Sequence, residues 1–383
     1  MHVMFIPSWY SNNRNKVHGS FFKEQAKALQ DSGVQVTVAY NEIWPITMFG
    51  KVNEKIGLSK SYEDGLLTYR YKNYNYIPKH PLMFKSFNKR MEKLYKNIVK
   101  ENGKVDVIHA QSSLWGGISA RYIAKKYNIP LVITEHSSLK YGNVIKESYL
   151  PEIINSYKEA DVLVAVGSGL KKELEEVTLR SDVKVIPNLI GINNIDEVYE
   201  MKNGDFTFFS LAFLEGTKGM DTLLKSFAKG FNGKRAVKLV IGGEGSQKQE
   251  LISLSKELGI ENQVKFTGEL SRTDVSKYMN KCDSFVLASE YETFGVVYIE
   301  ALACGKPIIG CYNGGAEDII TKENGYIVEK SNVDELSEAM KLMVANINEF
   351  SSEDIIKQTK DKYNRKKIAS EIIDVYKHLE KGL

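Results

Sequence analysis

Ser289-Glu290-Tyr291-Glu292-Thr293-Phe294-Gly295-Val296-Val297-Tyr298-Ile299-Glu300-Ala301-Leu302-Ala303-Cys304-Gly305-Lys306-Pro307 is the stretch on which the fold turns. It follows an apolar run at 284–288 of the kind that fills a buried parallel strand. The spacing predicts a helix from near Phe294 to Cys304-Gly305, with Gly305 as the stop and Pro307 just beyond. Glu300 falls on its second turn and Glu292 in the loop before it. Two carboxylates and a helix N-terminus therefore meet at the carboxyl end of one strand. In open α/β sheets that edge binds ligands. Free amides at a helix start suit a phosphate, and carboxylates accept from sugar or ribose hydroxyls.

Outward from this stretch, apolar runs alternate with helical patterns along the chain. Strand-type runs lie at 3–6, 34–40, 66–71, 105–109, 131–134, 162–166 and 183–186. A second series follows at 206–211, 237–241, 264–267, 284–288, 307–310 and 326–328. Helical patterns occupy 20–30, 84–100, 114–127, 148–158 and 170–177 in the first series. In the second they occupy 220–231, 247–258, 273–280, 294–303 and 333–344. This alternation predicts two Rossmann-like α/β domains with parallel sheets. They join near Pro187-Asn188-Leu189-Ile190-Gly191-Ile192-Asn193-Asn194, a segment with turn chemistry. A last helix is expected at 364–380.

The 383-residue length fits two domains, and 43% hydrophobic with 26% charged residues is ordinary globular composition. No apolar run reaches the roughly 18 residues that span a bilayer. The N-terminus reads as a first strand and not a signal peptide. Three cysteines, Cys282, Cys304 and Cys311, make neither a disulfide framework nor a zinc spacing, so a reducing cytoplasm is the expected compartment. The net charge of +4 hides an asymmetry: residues 1–189 are net basic and the remainder net acidic. The most basic stretch, 79–104, sets Lys85, Lys89, Lys93, Lys96 and Lys100 around an apolar stripe of helical spacing. Its plainer reading is a solvated helix on its sheet. Its sharper reading is a face resting on anionic lipid. No recognised nucleic-acid module is present.

Other strand ends carry candidate groups. The long loop 7–25 ends in Gly19-Ser20, which offers either a helix cap or bare amides to an anion. Strand 131–134 runs into Glu135-His136, and a histidine there is either a structural hydrogen-bonder or a catalyst. Lys218 stands just before a helix, as a diphosphate contact or a plain surface lysine. Gly242-Gly243-Glu244-Gly245 is a strand–turn–helix junction without the third glycine of a dinucleotide fingerprint. Phe266-Thr267-Gly268 ends the next strand, where a base can lie against backbone groups.

Together these residues resemble a retaining glycosyltransferase of glycosyltransferase family 4, over nearly the whole chain. The most specific element is the family's Glu-x7-Glu motif, here Glu292 to Glu300. Lys218-Gly219, Gly242-Gly243-Glu244-Gly245, Phe266-Thr267-Gly268, Pro187-Asn188 and Cys282-Asp283-Ser284-Phe285-Val286-Leu287 support it. The resemblance implies the GT-B fold, two Rossmann-like domains facing each other across a cleft. The domains would be 1–189 plus 366–383 on the acceptor side and 190–365 on the nucleotide-sugar side. It also implies roles. Glu300 accepts ribose hydroxyls, Lys218 neutralises the diphosphate, and Glu292 sits by the donor sugar. Gly243 and Thr267 belong to the donor pocket. The amides of Thr293, Phe294 and Gly295 grip sugar or phosphate, Gly19 approaches the diphosphate, and His136 faces sugar and acceptor.

The expected activity is retaining transfer of a hexosyl or N-acetylhexosaminyl group, from a UDP-sugar foremost, to a glycan or lipid-linked acceptor. Bacterial surface polysaccharide or glycoconjugate synthesis at the inner face of the cell membrane is the implied setting. No cofactor and no metal are expected. The leaving diphosphate takes the acceptor's proton, so no carboxylate base is required, unlike a hydrolase with paired acids. One departure stands out: where the family has Arg, five residues before Lys218, this chain has Phe213. Arg14, Lys16 or Arg272 are the candidate substitutes, and Leu189 replaces the family's glycine after Pro-Asn. The rival reading is a non-catalytic nucleotide-sugar-binding member or partner subunit. A nucleotide-sugar 2-epimerase shares the fold and ranks last.

Overall fold

The computed structural model describes residues 1–12, 15, 18–78, 80–140, 145–191 and 204–381. Arg14, Lys16 and the linker pair Asn193-Asn194 lie outside the described residues. The chain divides into two compact units, Met1–Leu189 with the segment from Arg365 onward, and Ile190–Asn364.

Up to Leu189 the strands are β1 (His2–Pro7), β2 (Gln35–Pro45), β3 (Gly57–Glu63), β4 (Leu66–Asn75), β5 (Val107–Gln111), β6 (Leu131–Glu135), β7 (Val162–Ala165) and β8 (Lys184–Val185). The helices there are α1 (Ser20–Asp31), α2 (Met83–Asn102), α3 (Ile118–Tyr127), α4 (Leu150–Lys158) and α5 (Ser168–Thr178). The second unit holds β9 (Phe206–Leu211), β10 (Val237–Gly242), β11 (Val264–Gly268), β12 (Ser284–Val286), β13 (Ile308–Cys311) and β14 (Gly325–Val328). Its helices are α6 (Met220–Phe231), α7 (Lys248–Glu257), α8 (Arg272–Lys281), α9 (Val296–Ala303), α10 (Val333–Ala345) and α11 (Ser352–Tyr363). The last helix, α12 (Arg365–Lys381), packs in the first unit.

The first sheet runs β3-β4-β2-β1-β5-β6-β7-β8 and the second β11-β10-β9-β12-β13-β14. β1 is buried along its whole length, as a central strand covered on both faces must be. Chain order reverses at β1 in the first sheet and at β9 in the second, so the switch points lie at their carboxyl ends. On one face of the first sheet, Phe22, Ala26 and Leu29 of α1 meet Ile368, Ile372 and Tyr376 of α12. An ion pair between Arg365 and Glu24 ties the two helices. The apolar stripe of α2 (Met83, Phe84, Phe87, Met91, Leu94 and Ile98) is also spent on the core, so this helix keeps no apolar face for a membrane. In the second unit Phe208, Phe209, Leu239, Phe285 and Ile308 are buried with Leu223, Leu224 and Phe227 of α6. Each such side chain contributes about 1.5–3 kcal/mol by leaving water.

The first sheet is not wholly parallel. β3 pairs antiparallel with β4 through a two-residue turn. In it Asp64 and Gly65 both take positive φ, 50° and 86°, the conformation that an Asp-Gly hairpin favours. β3 escapes an apolar pattern because it is a sheet edge with its residues mostly exposed. The helix expected from 114 starts at Ile118. Ser112 and Trp115, at φ 61° and 70°, bend the chain first. α9 starts at Val296 and not at Phe294, because Gly295 takes φ 88° as its left-handed cap. A Cβ on Gly295 would come 2.5 Å from the Tyr298 ring, so the turn requires glycine there.

Candidate active site

The second unit brings its candidate residues to the carboxyl ends of β9 and β12. After β9 the chain runs through 212–219, and after β12 through 287–295. Backbone bonds join these loops, with Glu290 N donating to Thr217 O at 3.0 Å. Gly219, at φ 61°, lets them close: a Cβ there would lie 2.1 Å from Ala288 O. Lys218 and Glu292 are thereby set face to face, and Lys218 Nζ donates to Glu292 Oε1 at 2.7 Å. Both side chains are mostly buried. Asn313, after β13, braces the acidic loop. Glu292 N donates to its carbonyl at 3.0 Å, and its Nδ2 donates to Ser289 O at 3.2 Å.

Behind Glu292 stands the N-terminus of α9. Helix geometry leaves the amides of Val296 and Val297 without intrahelical acceptors, and the helix dipole makes that end electropositive. Thr293 is partly exposed, whereas Phe294 turns into the core and meets the Tyr363 ring edge-on at 5.8 Å. α9 is apolar on nearly all sides and Tyr298 to Ala303 are buried. Glu300 is the exception. Its carboxylate, 4% exposed, accepts from Arg272 Nη1 at 3.0 Å. Arg272 Nη2 donates to Gly191 O at 2.6 Å. Burial pushes the Glu300 carboxyl above its usual range, and Arg272 opposes that shift. Arg272 is thus committed to Glu300 and to the Gly191 carbonyl, not left free as a replacement phosphate contact.

Beside β9, Gly243 closes the third loop. Its φ is 123°, and a Cβ would meet Ala212 O at 1.9 Å. Gly243 N donates to Gly268 O at 2.8 Å, which places Thr267 at the same edge. Phe213 is 77% exposed in the loop after β9.

The first unit brings Gly19 and His136 together. Gly19, at φ 69°, caps α1. A Cβ there would strike Trp9 O at 2.6 Å. The next turn carries Phe21 and Phe22, whose rings lie 5.1 and 4.8 Å from that of His136. Glu135 does not pair with the His136 ring. Its carboxylate accepts from Ser113 N, the Tyr157 hydroxyl, His136 N and Ser137 N at 2.6–2.9 Å. His136 Nε2 instead lies 2.8 Å from Gln111 Oε1. Gln111 Nε2 lies 3.0 Å from His109 Nε2, and His109 Nδ1 lies 2.5 Å from the Tyr376 hydroxyl on α12. A glutamine oxygen only accepts, so Nε2 carries the His136 proton and Nδ1 keeps a lone pair. That Nδ1 is buried without a partner. Burial pushes His136 down to about 3, with His109 adding repulsion, so the ring is neutral at physiological pH. Gln111, His109, Tyr376 and Asn313 escaped the sequence reading, and Arg272 was named only as a phosphate contact, because each acts on a partner distant in the chain.

Strand order, glycine loops and the carboxylate pair define a glycosyltransferase of the GT-B class. HepE of Anabaena, solved in complex with UDP, superposes with a TM-score of 0.75 at 17% identity, over 99% of this chain and 100% of that one, which speaks for the fold. The description Glyco_transf_4, Glycosyltransferase Family 4, matches residues 19–193, and Glycos_transf_1, Glycosyl transferases group 1, matches residues 191–362. An uncharacterized glycosyltransferase of Methanocaldococcus jannaschii is 30% identical over 258 residues, covering 66% of this chain and 69% of the relative. Alpha-monoglucosyldiacylglycerol synthase of Streptococcus pneumoniae is 24% identical over 259 residues, covering 62% of this chain and 57% of the relative. The chain belongs to glycosyltransferase family 4.

Proposed function

We propose that this chain is a retaining, metal-independent glycosyltransferase. It moves a hexosyl or N-acetylhexosaminyl group from a nucleoside-diphosphate sugar, UDP-sugar foremost, to a hydroxyl of a glycan or lipid-linked acceptor. It works at the cytoplasmic face of a bacterial membrane in surface polysaccharide or glycoconjugate synthesis. The observation that carries this reading is the Lys218–Glu292 pair, 2.7 Å apart beside the start of α9. A cation and free amides there suit a diphosphate, and a carboxylate beside them suits sugar hydroxyls. HepE, of like fold, holds UDP, and the pneumococcal relative is named for a glucosylated lipid product.

In the proposed reaction the acceptor oxygen bonds to the anomeric carbon from the leaving-group face. The bond from that carbon to the diphosphate breaks, its electron pair goes to the phosphate oxygen, and that oxygen takes the acceptor's proton. The products are the glycoside and the nucleoside diphosphate. Lys218 and the α9 amides stabilise the charge that develops on the diphosphate. Glu292 anchors the transferred sugar, and Glu300, held by Arg272, anchors the ribose. In the first unit, neutral His136 offers its Nδ1 lone pair to an acceptor hydroxyl, and Gly19 leaves the start of α1 free of a side chain, as an anion contact requires.

The test is a panel of sugar nucleotides incubated with membrane extract. Diphosphate release that survives a chelator and falls at least about tenfold in Glu292→Ala and Lys218→Ala supports the reading. Retained nucleotide binding with no release from any donor sinks it, in favour of a non-catalytic member. The exposed Phe213 favours that second reading, and Phe213→Arg separates the two: a gain of about tenfold in turnover belongs to an enzyme short of one phosphate contact.

A further inference from the structure

A line of buried hydrogen bonds links the last helix of the chain to His136. It runs from Tyr376 of α12 to His109 and Gln111 of β5 and on to the His136 ring, with contacts of 2.5, 3.0 and 2.8 Å. Tyr376, His109 and Gln111 are fully buried, and His136 is 8% exposed. Every polar side-chain atom on the line has a partner except its last, His136 Nδ1. Packing does not decide the state of that atom. The Phe21 and Phe22 rings pack against the imidazole, but its two tautomers have the same shape. The bond made at Nε2 decides which nitrogen carries the proton.

The line has two directions, and each fixes every proton on it. A neutral imidazole has one donor and one acceptor, and a side-chain amide has donors at one end and an acceptor at the other. In the first direction Gln111 Oε1 accepts from His136 Nε2, and Gln111 Nε2 donates to His109 Nε2. His109 then carries its proton on Nδ1, and the Tyr376 oxygen accepts it. In the second direction Tyr376 donates, the Gln111 amide is turned over, and His136 carries its proton on Nδ1. That leaves an N–H buried without an acceptor, and native proteins tolerate orphaned donors less than orphaned acceptors. The first direction is therefore the native one, and it depends on the Tyr376 oxygen. Without that oxygen the His109 Nδ1–H would face a ring in the core. Its proton is better placed on Nε2, where Thr134 Oγ1 lies at 2.8 Å. Gln111 must turn over to meet it, and the turn reverses His136, which lies nearer solvent than His109.

We propose that Tyr376 is a positioning residue for the transferase site. From the last helix of the chain it selects, through His109 and Gln111, the tautomer in which His136 Nδ1 is a hydrogen-bond acceptor. Being fully buried, it meets no substrate itself. The tautomer follows from the geometry alone, and only its effect on turnover rests on the glycosyltransferase reading.

Nitrogen-15 spectra of the histidine-labelled protein read the tautomers, because a bare ring nitrogen resonates far from a protonated one. The chain has six histidines, and His109→Gln and His136→Gln assign the two signals. In the wild type His109 should be protonated on Nδ1 and His136 on Nε2. In Tyr376→Phe both should reverse. Thr134→Val removes a hydroxyl beside the same line without turning its direction, and should reverse neither. Turnover in Tyr376→Phe should fall about tenfold, the worth of the hydrogen bond lost to the acceptor hydroxyl. Its dissociation constant for UDP, and the turnover of Thr134→Val, should stay at the wild-type values. His136 protonated on Nδ1 in the wild type overturns the proposal, whether or not the variants fold. So do an unchanged His136 in Tyr376→Phe, a reversal in Thr134→Val, or a reversal in Tyr376→Phe with turnover intact. Failure of the donor reading looks different: UDP does not bind and no diphosphate is released, with the wild-type tautomers as described.

Discussion

Replacing Glu292 by alanine should have opposite effects on nucleotide binding and on transfer. Its carboxylate holds Lys218 Nζ at 2.7 Å, and the two side chains are 14% and 25% exposed. Such a pair lies between the surface case, worth about 0–1 kcal/mol, and the buried one, so about 1 kcal/mol is a fair figure. In the free enzyme part of the lysine's charge is spent on Glu292. Removing the carboxylate frees it for the diphosphate, and UDP should bind up to about fivefold tighter. Transfer loses a charge-assisted hydrogen bond of about 1.5–3 kcal/mol to the donor sugar, so kcat should fall about 10- to 100-fold. Calorimetric titration with UDP and steady-state diphosphate release measure the two sides, with Lys218→Ala as the converse case that weakens UDP. If Glu292→Ala weakens UDP by the factor it takes from turnover, or raises only the Michaelis constant, the division of roles is refuted.

Arg272→Ala leaves Glu300 buried without its cation, which raises further a carboxyl that burial already holds high. Protonation weakens the carboxylate as a ribose acceptor, so the loss of UDP affinity, about tenfold at its largest, should be greater at acid than at alkaline pH; a loss independent of pH contradicts this. Gly219→Ala combines φ 61° with a 2.1 Å collision and should cost at least about 2 kcal/mol in urea unfolding. The comparison is Gly233→Ala, at φ 80° in open space, which carries the backbone term alone, about 1 kcal/mol. Buried His109 and His136 are both pushed down to about 3. Unfolding lets them protonate near 6.5, so their stabilising contribution is complete above that pH and is lost as pH falls towards 3. Urea midpoints taken across that window should fall, and His109→Phe should flatten the decline; an unchanged slope excludes this cause.

How far the sequence carried depended on how local each signal was. The alternating units were legible because strands covered on both faces must be apolar along their length. The α9 cap was not read: the helix was expected from near Phe294, whereas Gly295 at φ 88° caps it, where a Cβ would come 2.5 Å from the Tyr298 ring. β3 and α11 were missed. β3 is an exposed edge with no apolar pattern, although Asp64-Gly65 announced its hairpin. α11 buries only Ile355, Thr359 and Tyr363, too thin a stripe to stand out, although Ser351 caps it from the chain. Glu292, Glu300, Lys218, Gly243 and Thr267 could be named from strand-end positions and family spacing. Their couplings could not: Lys218 finds Glu292 across 74 residues, and Arg272 finds Glu300 across 28. The His136 tautomer depends on Gln111, 25 residues before it in the chain.

Hydrogen–deuterium exchange of the intact protein with and without a saturating sugar nucleotide tests most directly where the donor is bound. The account predicts added protection at 215–219, 243–246 and 292–298 of the second unit, with β3 and β4 unaffected. Protection that spares those loops, or that is confined to the first unit, would contradict it.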